Sequence, residues 1–504
     1  MPSRVFHRTA PNAALLAALL TGSATAHPPM SSAPEPESDA VKVFFDSVNE
    51  HGVLVGGVHM LPRTELSRRQ SVAPQSDVTM VLESQGVGAN GDNRFDLVFV
   101  GDGYAATRPV LADTTLLPED DQLPPMTPDL VRYQGHVAGA LYRLFEMEPF
   151  RRYKPVFRSY RVDVRSDVSG VSGDPVPSVV RNTPLDMRFW CDDIERLLCV
   201  DTLAAQQFAE QAPSVDLVIA VANSNKYGGS GYQSQNVLTV SGGSPSAFAI
   251  TAHEIGHVLG ILADEYTVEG FLNWEGGEPG EANISTFTAA EMIAQNGKWA
   301  SWIGHDIVGF DGPISTYEGG GYYAFEIYSP SRDPTMKSIG RPFNTVGVER
   351  LVVGIYTRVD TIDAAFPVSV VAQPNTVFTV EPIPVVGQPL TVTWFLDGQP
   401  VSVPVANMLD LSTITLAPGT HQVTVRVVDN TPYVRNQAYR DQWLTDTKDW
   451  IVQVPAASAP EPSLEKAAST LRQWGEQGAD LDGDHNGDGR VDLRDLLKAL
   501  GSQN

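Results

Sequence analysis

Residues 253–257 read His-Glu-Ile-Gly-His, and two histidines four positions apart meet on one face only where the chain is an α-helix. The flanks agree with a helix. Residues 246–250 lead into it, Ile255, Val258, Leu259 and Ile261 supply an apolar side, and Gly260 can end or bend it three residues past His257. Both imidazoles of such a helix can reach one ion, at ligand spacing for Zn2+. Glu254 stands beside them without having to ligate, placed to take a proton from water as general base and return it to a leaving amine.

A catalytic zinc takes three protein ligands and keeps one position open. Candidates for the third lie in Ala263-Asp264-Glu265-Tyr266. On a straight helix Asp264 would sit roughly 10 Å beyond His257, at about 1.5 Å per residue, so it can ligate only if the chain turns at Gly260. Glu265 is the adjacent alternative and Glu318 a distant one.

The 504 residues suggest two or three units of roughly 150 residues. Hydrophobic residues at 42% and charged ones at 19% place most of the chain among folded globular proteins. A formal charge of −25 repels nucleic acid and anionic membrane surfaces, so neither is an expected partner. Residues 1–26 carry Arg4 and Arg8, an apolar run at 13–20, and Ala24 and Ala26 before His27, the pattern of a secretory signal peptide. The expected destination is extracellular, with periplasm or cell surface as alternatives. No stretch approaches the roughly 20 apolar residues that span a bilayer. In an oxidising compartment Cys191 and Cys199 are a candidate structural disulfide if 192–198 form a helical turn; two buried thiols are the alternative.

Residues 27–40, rich in Pro, Ser and Ala, read as a flexible leader, and 41–94 as a β-rich N-terminal segment, either separate or a preface to the next domain. From 95 to 368 buried strands at 95–100 and 215–222 alternate with a helical stretch near 130–147 and a Gly-rich loop at 226–231, so an α/β (α+β) catalytic domain is expected. Gly101-Asp102-Gly103 lacks the full dinucleotide fingerprint and has an aspartate where phosphate would sit; it reads as a plain turn. Residues 369–455 alternate in short strands at 390–396, 412–416 and 421–429, with turns at Asp397-Gly398 and Pro418-Gly419, a β-sandwich signature. With Trp394 in its middle strand this region resembles an immunoglobulin-like module lacking the cysteine pair. Residues 456–462 are a linker, and 463–504 a tail that opens with a helix over 463–477.

The run 253–266 as a whole resembles the active-site signature of the IgA peptidase family of secreted zinc metallopeptidases. Segments 95–104, 223–229 with Tyr227-Gly228-Gly229, and 317–322 are similar to further family segments in the same order, so the resemblance covers about 95–357 and leaves the C-terminal third outside. It implies peptide-bond hydrolysis, zinc on His253, His257 and Asp264, and Glu254 as base. That family resembles the metzincins, whose methionine turn would fall at Met336. Ala263 stands where most metzincins place a third histidine, which passes that role to Asp264. No tyrosine follows Met336 where some metzincins stabilise the transition state, leaving Tyr266, Tyr322 or Tyr323 for that part. Cleavage of immunoglobulin A itself requires exosites that no motif here displays.

Residues 484–495 place side-chain oxygens of Asp484, Asn486, Asp488, Asp492 and Asp495 at loop positions 1, 3, 5, 9 and 12 of an EF-hand, the carbonyl of Arg490 at 7, and Gly489 at the tight turn. Asp495 in place of glutamate makes the loop similar to those of dockerins; a dockerin resembles a pair of such loops, whereas one complete loop is visible, so structural Ca2+ is expected. The whole reads as a secreted zinc endopeptidase acting on protein or peptide, directed to a surface or glycan target by the immunoglobulin-like module. Two alternatives use the same residues: a non-catalytic adhesin or binding protein, and a zinc-dependent amidase acting on cell-wall material.

Overall fold

Strands β4 (Phe95–Asp102) and β6 (Leu217–Ala222) are buried on both faces, which their unbroken apolar runs require. Their alternate side chains feed two cores. Phe95, Leu97 and Phe99 join one with Leu217, Ile219 and Val221, while Val98 and Val100 join the other with Val218 and Ala220. The structure is a computed structural model that describes residues 40–48, 54–65, 73–88, 91–105, 129–306, 312–368, 370, 372–456 and 464–500. The expected signal peptide, the leader up to 39 and the linker at 457–462 lie outside the described residues.

Around β4 and β6 stand β1 (Ala40–Val48), β2 (Leu54–Pro62), β3 (Asp77–Leu82), β5 (Phe157–Asp163), β7 (Gly229–Tyr232) and β8 (Val237–Ser241), in the order β2-β1-β7-β8-β6-β4-β5-β3. β5, β4, β6 and β8 are parallel; β3, β7 and β1 each run antiparallel to their neighbours. α1 (Asp129–Leu144) turns Tyr133, Val137 and Leu141 onto the first core, and Phe208 of α3 (Thr202–Ala209) packs in the second; the short α2 (Phe150–Tyr153) precedes β5. Helices on both faces of a mixed sheet, parallel through its centre and antiparallel toward both edges, make this an α/β unit.

Of the two readings open for 41–94, a preface describes it, because β1–β2 forms one edge of the central sheet and β3 the other. One element differs from the sequence reading. The Gly-rich stretch from 229 on is strand β7 rather than loop, since its backbone carries the ladder between β8 and β1.

Helix α4 (Ala247–Val258) lies against β7 and β8. Beyond it come α5 (Ala289–Ala294), the hairpin β9 (Tyr317–Gly320) and β10 (Tyr323–Ser329), and α6 (Thr345–Tyr356), buried on all sides between α4 and the C-terminal sheets. Those sheets are β11 (Ile362–Ala365), β12 (Val377–Pro382) and β15 (Met408–Asp410), and β14 (Gln399–Val401), β13 (Thr391–Leu396), β16 (Gly419–Val428) and β17 (Thr445–Val454). Phe378, Trp394 and Trp450 meet between them, with Phe378 and Trp450 centroids 5.0 Å apart. Asp397 and Gly398, both at positive φ (51° and 78°), make the tight β13–β14 turn. The strand expected at 412–416 is absent. Asp410 accepts a hydrogen bond from the Ser412 amide at 2.9 Å and starts a 3-10 turn instead. β11 starts before position 369, too short for its alternation to be seen in sequence.

After α7 (Gln437–Trp443) and β17, the tail carries α8 (Leu464–Arg472) and α9 (Leu493–Ala499). α8 stops short of 477 because Gly475 takes φ +84°. Among the described residues no helix is long and apolar enough to cross a membrane.

Candidate metal centre

On α4, His253, Glu254 and His257 are fully buried. His253 Nδ1 donates to the carbonyl of Thr335 at 2.9 Å and His257 Nδ1 to that of Leu262 at 2.7 Å. A carbonyl can only accept, so the hydrogen of each neutral ring is assigned to Nδ1 and the two Nε2 lone pairs face one another, 3.0 Å apart. Asp264 Oδ1 lies 3.1 Å from the first and 3.5 Å from the second, and Asp46 Oδ2 lies 2.7 Å from His253 Nε2. One ligand atom from each of these four buried residues falls within 4.8 Å of the others.

Lone pairs and carboxylates converging in a dry interior favour positive charge between them, and a metal ion fits that need. Burial works against a charged His253, yet Asp46 and Asp264 outweigh it and push its pKa well up. Burial likewise opposes the Asp264 carboxylate, but His257 and His253 hold its pKa below the usual range. The cluster is electrostatically built to contain positive charge, and the donor set of two imidazoles and two carboxylates suits Zn2+.

Asp264 reaches the cluster because the chain reverses after Leu259. Gly260 permits the close approach, since a Cβ there would meet the Gly256 carbonyl at 2.8 Å, but the left-handed residue is Ile261, at φ +53°. Glu265 points elsewhere. Its carboxylate accepts from Asn283 at 2.8 Å and Asn344 at 3.0 Å, and burial pushes its pKa up to about 8. Glu318 is exposed on β9, outside the cluster. Met336 is buried beneath α4, where a Cβ on Gly256 would come within 2.6 Å of its sulfur, and its carbonyl accepts from the Glu265 amide at 2.7 Å.

The three tyrosines separate. Tyr322 donates to Asp264 Oδ2, Tyr266 donates to Asp46 Oδ1 at 2.9 Å, and Tyr323 packs on Phe271 and Trp274. Neither Glu254 oxygen has a hydrogen-bond partner, and burial raises its pKa well above the ordinary value. Room for that carboxylate comes from β7, where a Cβ on Gly229 would stand 3.1 Å from Oε1 and one on Gly231 3.1 Å from Oε2.

Sequence reasoning does not single out Asp46. Its one signal is a carboxylate ending the apolar run Val41-Lys42-Val43-Phe44-Phe45, two positions from Phe44 and thus on the same strand face. Phe44 stacks on the His257 ring, centroids 4.2 Å apart. Away from the centre, Asp102 accepts from Thr183 Oγ1 and the amides of Leu185 and Met187, ordering that loop rather than binding phosphate. Cys191 and Cys199 are disulfide-bonded with Cα atoms 6.3 Å apart, across turns rather than a helical turn.

In the tail loop Asp484 accepts from the amides of Gly487 and Gly489, each at 2.7 Å. Asp495 accepts from those of Asn486 and Asp492, each at 3.0 Å. Asp488 Oδ1 takes the Arg490 amide at 3.0 Å, and of the loop's carboxylates Asp495 is the buried one.

The central sheet flanks a buried His/Asp cluster compatible with a metal ion. Residues 133–313 match the family model described as IgA Peptidase M64, so this stretch is similar to that peptidase family. The match contains His253, Glu254, His257 and Asp264; Asp46 and Met336 lie outside it. No curated protein matches the chain.

Proposed function

We propose that this chain is an exported zinc-dependent endopeptidase, with His253, His257 and Asp264 as protein ligands and Glu254 as general base. The observation that carries this reading is the fully buried Glu254, both oxygens unpartnered, one residue from a ligand histidine. Zinc bound there supplies Lewis acidity, lowering the pKa of a water and polarising the scissile carbonyl. Glu254 takes the proton of the attacking water; the C–N bond breaks, and Glu254 passes the proton to the leaving nitrogen. Burial strengthens its hold on that proton. Tyr322 orients Asp264, the Thr335 and Leu262 carbonyls fix the two imidazoles, and Met336 supports the helix from below in the manner of a methionine turn.

The pattern of residues 1–26 supports export. The loop 484–495 supports a structural Ca2+ site holding α8 and α9 together, and the paired C-terminal sheets an immunoglobulin-like module. The test is hydrolysis of a mixed peptide library by zinc-loaded wild type and Glu254→Gln, and by the same pair carrying Asp46→Ala, which clears the second carboxylate beside His253. Cleavage that falls at least about 100-fold with Glu254→Gln in either pair, at unchanged zinc content, sustains the reading. Hydrolysis confined to cell-wall material would favour an amidase instead, and zinc binding with no hydrolysis of either substrate by any of the four proteins would favour a binding protein.

A further inference from the structure

The same metal centre, taken as proposed above, is closed. Asp46 adds a fourth protein ligand to His253, His257 and Asp264, whereas a catalytic site keeps one position for water and substrate. Glu254, the base with no partner, shares the buried site with the carboxylate that fills this position. We propose that the β1–β2 hairpin, residues 40–62, is an autoinhibitory segment: Asp46 occupies the position that the attacking water needs, and hydrolysis requires the hairpin to leave.

The backbone ladder of the hairpin is mostly internal. β1 pairs with β2 along its whole length, from Ala40↔Pro62 to Val48↔Leu54, but with β7 only at Phe44↔Gly231 and Phe45↔Ser230. Gly231 and the neighbouring Gly229 border Glu254, so β1 lies where an extended polypeptide would have to pass to reach the base. Its side chains add Val41, Val43 and Leu61 in the second core, Phe44 on His257, Tyr266 on Asp46, and the Lys42–Glu281 and His59–Asp192 ion pairs, so departure of the hairpin must uncover those three aliphatic side chains. Withdrawing Asp46 leaves His253, His257 and Asp264 on elements outside the hairpin.

The experiment uses the full chain loaded with one equivalent of Co2+ and titrated with acetohydroxamic acid, which binds an open metal position and changes the visible absorption of the ion. Asp46→Ala is expected to keep one equivalent of cobalt and to bind the hydroxamate at least tenfold more tightly than wild type. Equal affinity in the two proteins, or loss of cobalt from Asp46→Ala, would overturn the proposal. Asp46→Asn keeps the side-chain shape, and Lys42→Glu sets like charges against each other without touching a ligand. A gain in hydroxamate affinity by either, with wild-type circular dichroism, sustains the proposal if Asp46→Ala misfolds; a gain by neither overturns it. Peptide hydrolysis is followed in parallel. Hydroxamate discrimination without hydrolysis by any variant would sustain the hairpin's role and refute the peptidase reading, while equally fast hydrolysis by wild type and Asp46→Ala would refute the hairpin's role alone.

Discussion

Replacing Asp429 by alanine tests whether the catalytic region and the C-terminal sheets fold together. The Asp429 side chain is fully buried and accepts four hydrogen bonds: Arg152 at 2.8 Å, the Thr431 amide at 2.9 Å, Tyr153 at 2.6 Å and Tyr356 at 2.8 Å. Three of those donors come from α2 and α6, whereas Asp429 follows β16. Alanine leaves a guanidinium that is only 9% exposed without its carboxylate, at about 3–5 kcal/mol for a broken buried pair. Two stranded tyrosine hydroxyls add to this, and water admitted to the gap relieves part of it, for a net loss of roughly 4–6 kcal/mol. Unfolding entropy near 2.1 cal/mol/K per residue gives about 0.9 kcal/mol/K for roughly 400 residues melting as one, and hence a fall in Tm of about 5 °C. If the sheets of roughly 90 residues melted alone, the same loss would move their transition by about 20–30 °C and leave the catalytic transition in place. Residues 40–504 group as one compact unit, so scanning calorimetry should give a single transition shifted by about 5 °C. A shift under about 1 °C would refute the energetic reasoning, and two separated transitions would refute the shared unit.

Gly229→Ala should push its new methyl into Ile250, 2.3 Å away, and toward Glu254, costing about 1–3 kcal/mol and at least tenfold in kcat. Gly277→Ala, with open space around it, is the silent control for both urea midpoint and kinetics. Asp264→Ala should lower zinc affinity measured by competition with a chelator, whereas Glu265→Ala should keep one equivalent of zinc and lose about 1–3 kcal/mol of stability through the stranded amides of Asn283 and Asn344. Burial raises the Asp102 pKa from 3.8 to about 6, so the folded state holds its proton more tightly than the unfolded chain does. That stability is fully present below about pH 4 and is lost as pH rises through 6, about 3 kcal/mol in all. Urea midpoints between pH 4 and 7.5 should therefore fall more steeply for wild type than for Asp102→Asn, and parallel slopes would contradict the assignment.

What the sequence determined by itself was local. The spacing of His253 and His257 fixes a shared helical face because 3.6 residues make a turn, and the unbroken apolar runs of β4 and β6 declare strands buried on both sides. The register of oxygens from Asp484 to Asp495 is likewise a property of one contiguous loop. Asp264 stood between: sequence named it and stated the turn it requires, but Ile261 rather than Gly260 takes the left-handed conformation that makes the turn. The tertiary structure alone decided the rest. Asp46 meets His253 only because sheet order sets β1 beside β7, and pairing between segments so far apart leaves no periodic trace in either one. Tyr322, Tyr266 and Tyr323 are indistinguishable as residue types; their roles part because the β9–β10 hairpin aims one at Asp264 and packs another on Trp274, while Tyr266 meets the incoming β1 strand. Gly229 and Gly231 looked like a loop because the strand face that must make room for Glu254 carries only glycines, leaving Ser230 and Tyr232 too few to show an alternation.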